Sequence, residues 1–320
     1  MRPEIATALE RKAAGQPGRA QAWMVAAANP HAAQVGADVL RAGGTAADAM
    51  VAVQAMLGLV EPQSSGLGGG GFLMWYDANT GALTTLDGRE TAPLAATPTL
   101  FQDESGAPLG FFDAVVGGRS VGVPGTPALM EAMHARWGKR DWAELLAPAI
   151  DLAEQGFTVS PRLAGLVARD AERLSTFETT AAYFLPGGAP LKAGDTRTNP
   201  DYAATLRAMA TEGVGVFYAL RAGSVGAALV ETVQTAPGNP GLLDAWDLAL
   251  YQVKERPAVC APYRGHEVCG MGPPSSGALA VGQILGMLDN WDMPRPERAE
   301  AWRMIGDAAR LAFADRGRYV

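Results

Sequence analysis

The sequence has 320 residues, of which 48% are hydrophobic and 18% charged, with a formal net charge of −7. This composition folds instead of staying disordered, and the length suits one large or two ordinary domains. The acidic balance, with Lys and Arg scattered, argues against a nucleic-acid groove and leaves a small molecule or another protein as partner.

Residues 1–22 read as a flexible N-terminal arm without the apolar core of a signal peptide. Residues 23–320 read as one α-rich body with a few strands. No stretch reaches the roughly 18–20 apolar residues that span a bilayer. Ala22 to Ala28 is small and apolar and is expected to be a strand, broken at Asn29-Pro30. Ala32 to Ala42 has helical periodicity through Val35, Val39 and Leu40 and stops at Gly43-Gly44. Thr45 then caps a second helix, with Asp48 completing a capping box. That helix is apolar almost all round, which places it in a core, and it ends at Glu61-Pro62, where proline drives the preceding residue out of the α region.

Five of the six residues from Gly66 to Gly71 are glycine. Such a run packs no side chains and loses much backbone entropy on folding. It is expected where backbone approaches something closely or takes a positive φ. Phe72–Tyr76 and Ala82–Leu86 flank the turn-rich Asp77 to Gly81 as a hairpin, and Arg89 follows it directly. The chain then turns mostly helical, with cap signals at Thr126, Asp141, Ser160 and Asn199. Phe101 to Phe112 and Pro186 to Thr198 read as loops. Leu279–Leu288 and Glu297–Arg316 are the last two helices.

Between them and the preceding region, Arg256 to Met271 reads as a hairpin turning at Arg264-Gly265. That turn sets Cys260 opposite Cys269 at a non-hydrogen-bonded pair, with Cα atoms roughly 4.5 Å apart. The geometry admits a disulfide; the plainer reading is two half-buried thiols on one face. No zinc spacing is present. His31, His134 and His266 share no helical spacing, so neither a metal nor a cofactor is expected.

Two literal motif matches fail on context. Gly66 to Gly71 fits G-x-G-x-x-G, but a dinucleotide site needs a strand before it and a helix after it, and here the order is reversed. Gly118 to Gly122 fits the nucleophile elbow G-x-S-x-G, but Ser120 is followed by loop instead of helix. Arg89 is the stronger candidate, because a guanidinium fork matches a carboxylate bidentately and its position puts it at the rim of the glycine loop.

Several blocks, in order over nearly the whole chain, resemble the gamma-glutamyltranspeptidases. They are Met24 to Pro30, Gly43 to Ala49, Glu61 to Gly71, Asp87 to Pro93, Gly122 to Thr126, Met271 to Gly277 and Phe313 to Arg316. The resemblance implies an α+β fold, the α-rich large-subunit portion of an N-terminal nucleophile hydrolase αββα sandwich, without the small-subunit strands. It implies a precursor that cleaves itself, exposing a threonine that attacks the γ-glutamyl amide of glutathione or a relative. Water or an acceptor amine then takes the γ-glutamyl group. Arg89 falls on the arginine that grips the substrate α-carboxylate, and Pro273 to Gly277 are expected to line the wall of the site.

The resemblance further implies a periplasmic or secreted location and the small subunit of the same precursor as partner. The nucleophile pattern Thr-Thr-His is missing: Thr84-Thr85 runs into Leu86 and Thr179-Thr180 into Ala181. The expectation is therefore a large-subunit region over 23–320 with its nucleophilic threonine beyond Val320, inactive alone. The alternatives are a cephalosporin or glutaryl acylase of the same fold, or a non-catalytic truncated scaffold.

Overall fold

A computed structural model describes residues 3–219 and 221–320. Met1 and Arg2 of the expected arm lie outside the described residues. The rest of the arm is not without structure, since Pro3–Ala13 is a helix, followed by irregular chain. The chain divides into two compact units. The larger takes the residues up to Gly71 together with Arg89–Gln252; the smaller takes Phe72–Gly88 with Val253–Val320.

The larger unit is built on helix Ala46–Val60. Its capping box forms as the sequence predicts: the Thr45 hydroxyl accepts the Asp48 N–H at 3.2 Å and the Asp48 carboxylate accepts the Thr45 N–H at 2.8 Å. With no polar face to solvate, it buries Ala47, Val51, Ala55, Leu59 and Val60 against helices Pro30–Arg41, Thr126–Trp137 and Trp142–Gln155. Trp142–Gln155 in turn packs on Pro200–Glu212, where Leu146, Leu206 and Met209 are fully buried. Asp48, also fully buried, accepts the backbone N–H groups of Lys139 and Arg140, so one carboxylate joins the helix start to a distant turn.

Asp141, Ser160 and Asn199 cap their helices through side-chain oxygens. Thr126 does not. Gly125 is the N-cap and Thr126 is already helical. The N–H groups of both residues donate to the Gly69 carbonyl, at 2.8 and 3.0 Å, so the glycine loop supplies what a cap side chain otherwise would. Ala22 to Ala28 is irregular chain, not a strand. Alanine is a poor strand former, and Val25 instead packs on Gly36 of the next helix, where an added Cβ would lie 3.0 Å from Val25 Cγ1. The expected loops hold a little regular structure: helix Phe111–Val115, and strand Thr196–Arg197 paired with Phe157–Thr158.

In the smaller unit, strand Ala82–Gly88 lies between Gly71–Asp77 and Lys254–Glu255 in one sheet, with Leu86 opposite Glu255 and Asp87 opposite Lys254. Arg256 pairs with Asp87 at 2.5 Å and offers its carbonyl to the Thr85 hydroxyl. The second hairpin, Val259–Tyr263 with His266–Gly270, turns at Arg264 and Gly265, both left-handed at φ 48° and 77°. That two-residue turn sets Cys260 opposite Cys269, with Cα atoms 4.1 Å apart, and the two sulfurs are bonded. Of the two readings the sequence left open, the disulfide is the one the fold adopts. Helix Gly277–Leu288 sits on this hairpin at close range, since a Cβ at Gly282 would lie 3.1 Å from that of Ala261. Helix Ala299–Tyr319 packs beside it. Among the described residues no helix is long and apolar enough to cross a membrane.

Candidate functional site

Arg89 lines a cleft of about 460 Å³ in the larger unit, together with Gly68, Thr91, Phe101, Arg119 and Gly122. Three backbone segments wall it, and they are tied to one another. Thr91 and Val123 form an antiparallel bridge, with the Val123 N–H donating to the Thr91 carbonyl at 2.9 Å. The Gly69 carbonyl takes the two N–H groups at the start of the helix Thr126–Trp137. Gly122 has to be glycine at this junction, because a Cβ would lie 2.9 Å from the Thr91 carbonyl oxygen. The glycine run itself uses no positive φ. A Cβ at Gly66 or Gly68 would meet open space within this chain, so the left-handed turn is not the reason for the run there.

The Arg89 backbone is fixed from far along the chain. The Tyr251 hydroxyl donates to the Arg89 carbonyl at 2.9 Å, and the Leu94 N–H donates to buried Asp247 at 2.7 Å. Tyr251 stacks on Tyr218, with ring centroids 5.6 Å apart and planes 13° from parallel. Tyr218 in turn donates to the Pro124 carbonyl at 2.8 Å and accepts the Ala128 N–H at 3.2 Å. One stacked pair of tyrosines therefore holds two walls of the cleft in register. Burial pushes the Tyr218 phenol well above its usual range, so it stays a neutral donor.

The charge in the cleft comes from Arg89, Glu90 and Arg119. Glu90 Oε2 lies 2.9 Å from Arg89 Nε. Burial works against its ionisation. The bond from Arg89, the backbone N–H groups of Glu90 and Gly70, and the Arg89 charge outweigh that and hold the carboxyl below its usual range. Glu90 is thus an anion linking the arginine to the glycine loop.

Arg119 is held differently. Its Nε donates to Asn239 Oδ1 at 2.7 Å and its Nη1 to the Leu100 carbonyl at 3.1 Å. Asn239 is itself buried and donates to the carbonyls of Asp113 and Val116. The loop carrying Arg119 is also locked at its base: a Cβ at Gly118 would lie 2.1 Å from the Val233 carbonyl oxygen, and one at Gly241 the same distance from the Gly118 carbonyl oxygen.

The elbow-like Ser120 donates its hydroxyl to the Val115 carbonyl at 2.9 Å, which is a loop contact. The Pro273 to Gly277 turn belongs to the smaller unit, where Ser276 accepts from Arg316 Nε at 2.7 Å. Arg119, Tyr218 and Tyr251 escape a reading of the sequence. Each has a partner scores of residues away, and no local pattern marks them. Arg119 stands directly before Ser120 in the G-x-S-x-G match.

Residues 32–320 match the gamma-glutamyltranspeptidase family. The chain is 39% identical over 301 residues to the glutathione hydrolase proenzyme of Bacillus subtilis strain 168, covering 93% of this chain and 50% of that protein. It is 37% identical over 309 residues to the acylase ACY 1 proenzyme of Pseudomonas sp. strain SE83, covering 94% and 54%. The chain spans about half the length of the curated relatives it matches. Its backbone superposes on the gamma-glutamyltranspeptidase of Helicobacter pylori with a TM-score of 0.88 at 34% identity, covering 95% of this chain and 86% of that one. The fold is accordingly α+β, the α-rich large-subunit portion of an N-terminal nucleophile hydrolase. With the blocks around Gly66–Gly71 and Asp87–Pro93 assembled into one cleft, the chain belongs to the gamma-glutamyltranspeptidase family.

Proposed function

We propose that this chain supplies the carboxylate-binding half of a gamma-glutamyltransferase or glutathione hydrolase, with Arg89 gripping the α-carboxylate of a γ-glutamyl substrate. One observation carries the reading. Arg89 stands in a cleft between the glycine loop and the Gly122–Thr126 segment, its main chain pinned by Tyr251 and its Nε by Glu90. An arginine fixed in this way presents a pre-set anion site, which costs the substrate little ordering.

The attacking threonine is assigned outside these residues, to a small subunit that takes the γ-glutamyl group as an ester and passes it to water or an amine. The amide C–N bond breaks as the ester C–O bond forms, and the leaving amine takes the proton the threonine gives up. The chain alone is inactive in this reading. The exposed Trp302, Phe313 and Tyr319 of the smaller unit are apolar surface that such a subunit would cover.

The test is co-expression with a family small subunit that begins at its threonine, followed by release of a chromogenic amine from a γ-glutamyl anilide. Arg89→Ala is expected to raise KM roughly ten- to hundredfold with kcat much less changed. Activity indifferent to Arg89 sinks the assignment. An acylase is the second reading, favoured by the identity to the ACY 1 proenzyme. A glutaryl anilide keeps a carboxylate for Arg89 but lacks the α-ammonium group, so turnover of glutaryl over γ-glutamyl anilide would select it.

A further inference from the structure

We infer that Arg119 is a second carboxylate site in the same cleft, which reads the free C-terminal carboxylate of a γ-glutamyl peptide. The inference rests on the assignment of the α-carboxylate to Arg89. Arg89 and Arg119 line one cleft whose third ionisable group is Glu90, so two guanidinium charges face one carboxylate. Glu90 is engaged with Arg89. Arg119 has no carboxylate partner among the described residues; both its bonds go to neutral amide oxygens.

Those two bonds use two of the five N–H donors of a guanidinium, and they orient the group without neutralising it. A cation kept in that condition on a locked loop is suited to a ligand anion. The locking is specific: Asn239 holds Nε, the Leu100 carbonyl holds Nη1, and the Gly118–Gly241 contact fixes the main chain beneath. A neighbouring cleft of about 610 Å³, which shares Val121 with the first, is lined by Thr176, Thr179, Thr180 and Glu178 and by no basic residue. The cationic character therefore belongs to the Arg89 cleft.

The ligand class follows from the charges. A γ-glutamyl peptide with a free C-terminus carries two carboxylates and one ammonium group. A γ-glutamyl anilide, or a peptide ending in an amide, carries only the α-carboxylate. Arg119 then sets a preference for peptides with a free carboxyl end over γ-glutamyl amides with neutral leaving groups.

The experiment is calorimetric binding of glutathione and of its C-terminal amide to the 320-residue chain, in the wild type and in Arg119→Gln, Arg119→Lys and Arg89→Ala. Arg119→Gln loses the charge and keeps an amide donor for Asn239, whereas the Leu100 carbonyl, which Nη1 reaches, lies beyond the shorter side chain. The expected result is a roughly tenfold preference for glutathione over the amide in the wild type, lost in Arg119→Gln and largely kept in Arg119→Lys, with Arg89→Ala weakening both ligands. Equal affinity for the two ligands in the wild type, with Arg89→Ala still weakening both, overturns the role of Arg119 and leaves that of Arg89 standing. Arg119→Gln weakening both ligands alike would make Arg119 a loop anchor and also overturns it. A preference lost in Arg119→Gln but indifferent to Arg89→Ala would overturn the Arg89 assignment instead. No binding of either ligand overturns both.

Discussion

The Arg89 corner and the helix Ala299–Tyr319 make opposite use of their residues. Around Arg89 the exposed Leu94 and Phe101 stand among polar and glycine positions, and the backbone is fixed by the Tyr251 hydroxyl and the Asp247 carboxylate. Helix Ala299–Tyr319 buries only Ala301, Ala308 and Ala312, while Trp302, Leu311, Phe313 and Tyr319 are each more than half exposed. A buried alanine removes little apolar area, so this helix contributes far less to its own unit than Ala46–Val60 does to the larger one. The first region is held by hydrogen bonds from within its own unit. The second carries more apolar surface outward than inward.

Substitutions can break that contrast, and the largest effect is expected in the larger unit. Leu146→Ala, at a fully buried site, should cost about 2–5 kcal/mol in chemical denaturation, whereas Leu311→Ala, 60% exposed, should stay within about 0.5 kcal/mol. Similar losses from the two would mean that the outward face of the last helix is already covered, by self-association, which sedimentation would reveal.

Asp48→Asn comes next, at about 1–3 kcal/mol, because it removes the charge from a buried acceptor of several N–H groups. Burial pushes the Asp48 carboxyl up, but the N–H groups of Thr45, Lys139 and Arg140 and the Thr45 hydroxyl pull it below its usual value. A carboxylate with a depressed folded pKa adds stability above its unfolded pKa, near 4, and that share is lost as pH falls through the folded value. The wild type should lose stability more steeply than Asp48→Asn on acidification below about pH 4. Parallel acid titrations of the two proteins would refute this.

Tyr251→Phe should cost least, about 0.5–1.5 kcal/mol, since it removes the bond to the Arg89 carbonyl and keeps the stack on Tyr218. A thermal melt of the variant measures it. An effect of several kcal/mol would show that the corner depends on this one tie.

The elements that a sequence can disclose are those written locally. Thr45 with Asp48 announces a helix start, Glu61-Pro62 its end, and Arg264-Gly265 a two-residue turn, and all three form. The position of Arg89 directly after the first hairpin put it at the rim of the glycine loop, and Arg89 and Gly68 line one cleft. What stayed hidden depends on long-range pairing. Nothing around Tyr251 points to Arg89, 162 residues away, nor anything around Arg119 to Asn239, 120 residues away. Thr126 has the local signature of a cap and loses the role because Gly69 arrives from another part of the chain. Ala22 to Ala28 misleads in the opposite direction, as an apolar run with no ladder to join.

The mutual contact of Gly118 and Gly241 has a consequence for how this site can diversify. With neither position able to accept a side chain, the route of the main chain beside the cleft is closed to gradual change. Variation in what the cleft accepts must then enter through side chains on an unchanging frame, at Arg119 and Val121 above all. A mutant library intended to alter ligand preference should randomise those two positions and leave both glycines untouched; one that randomises the glycines would be sampling misfolded chains.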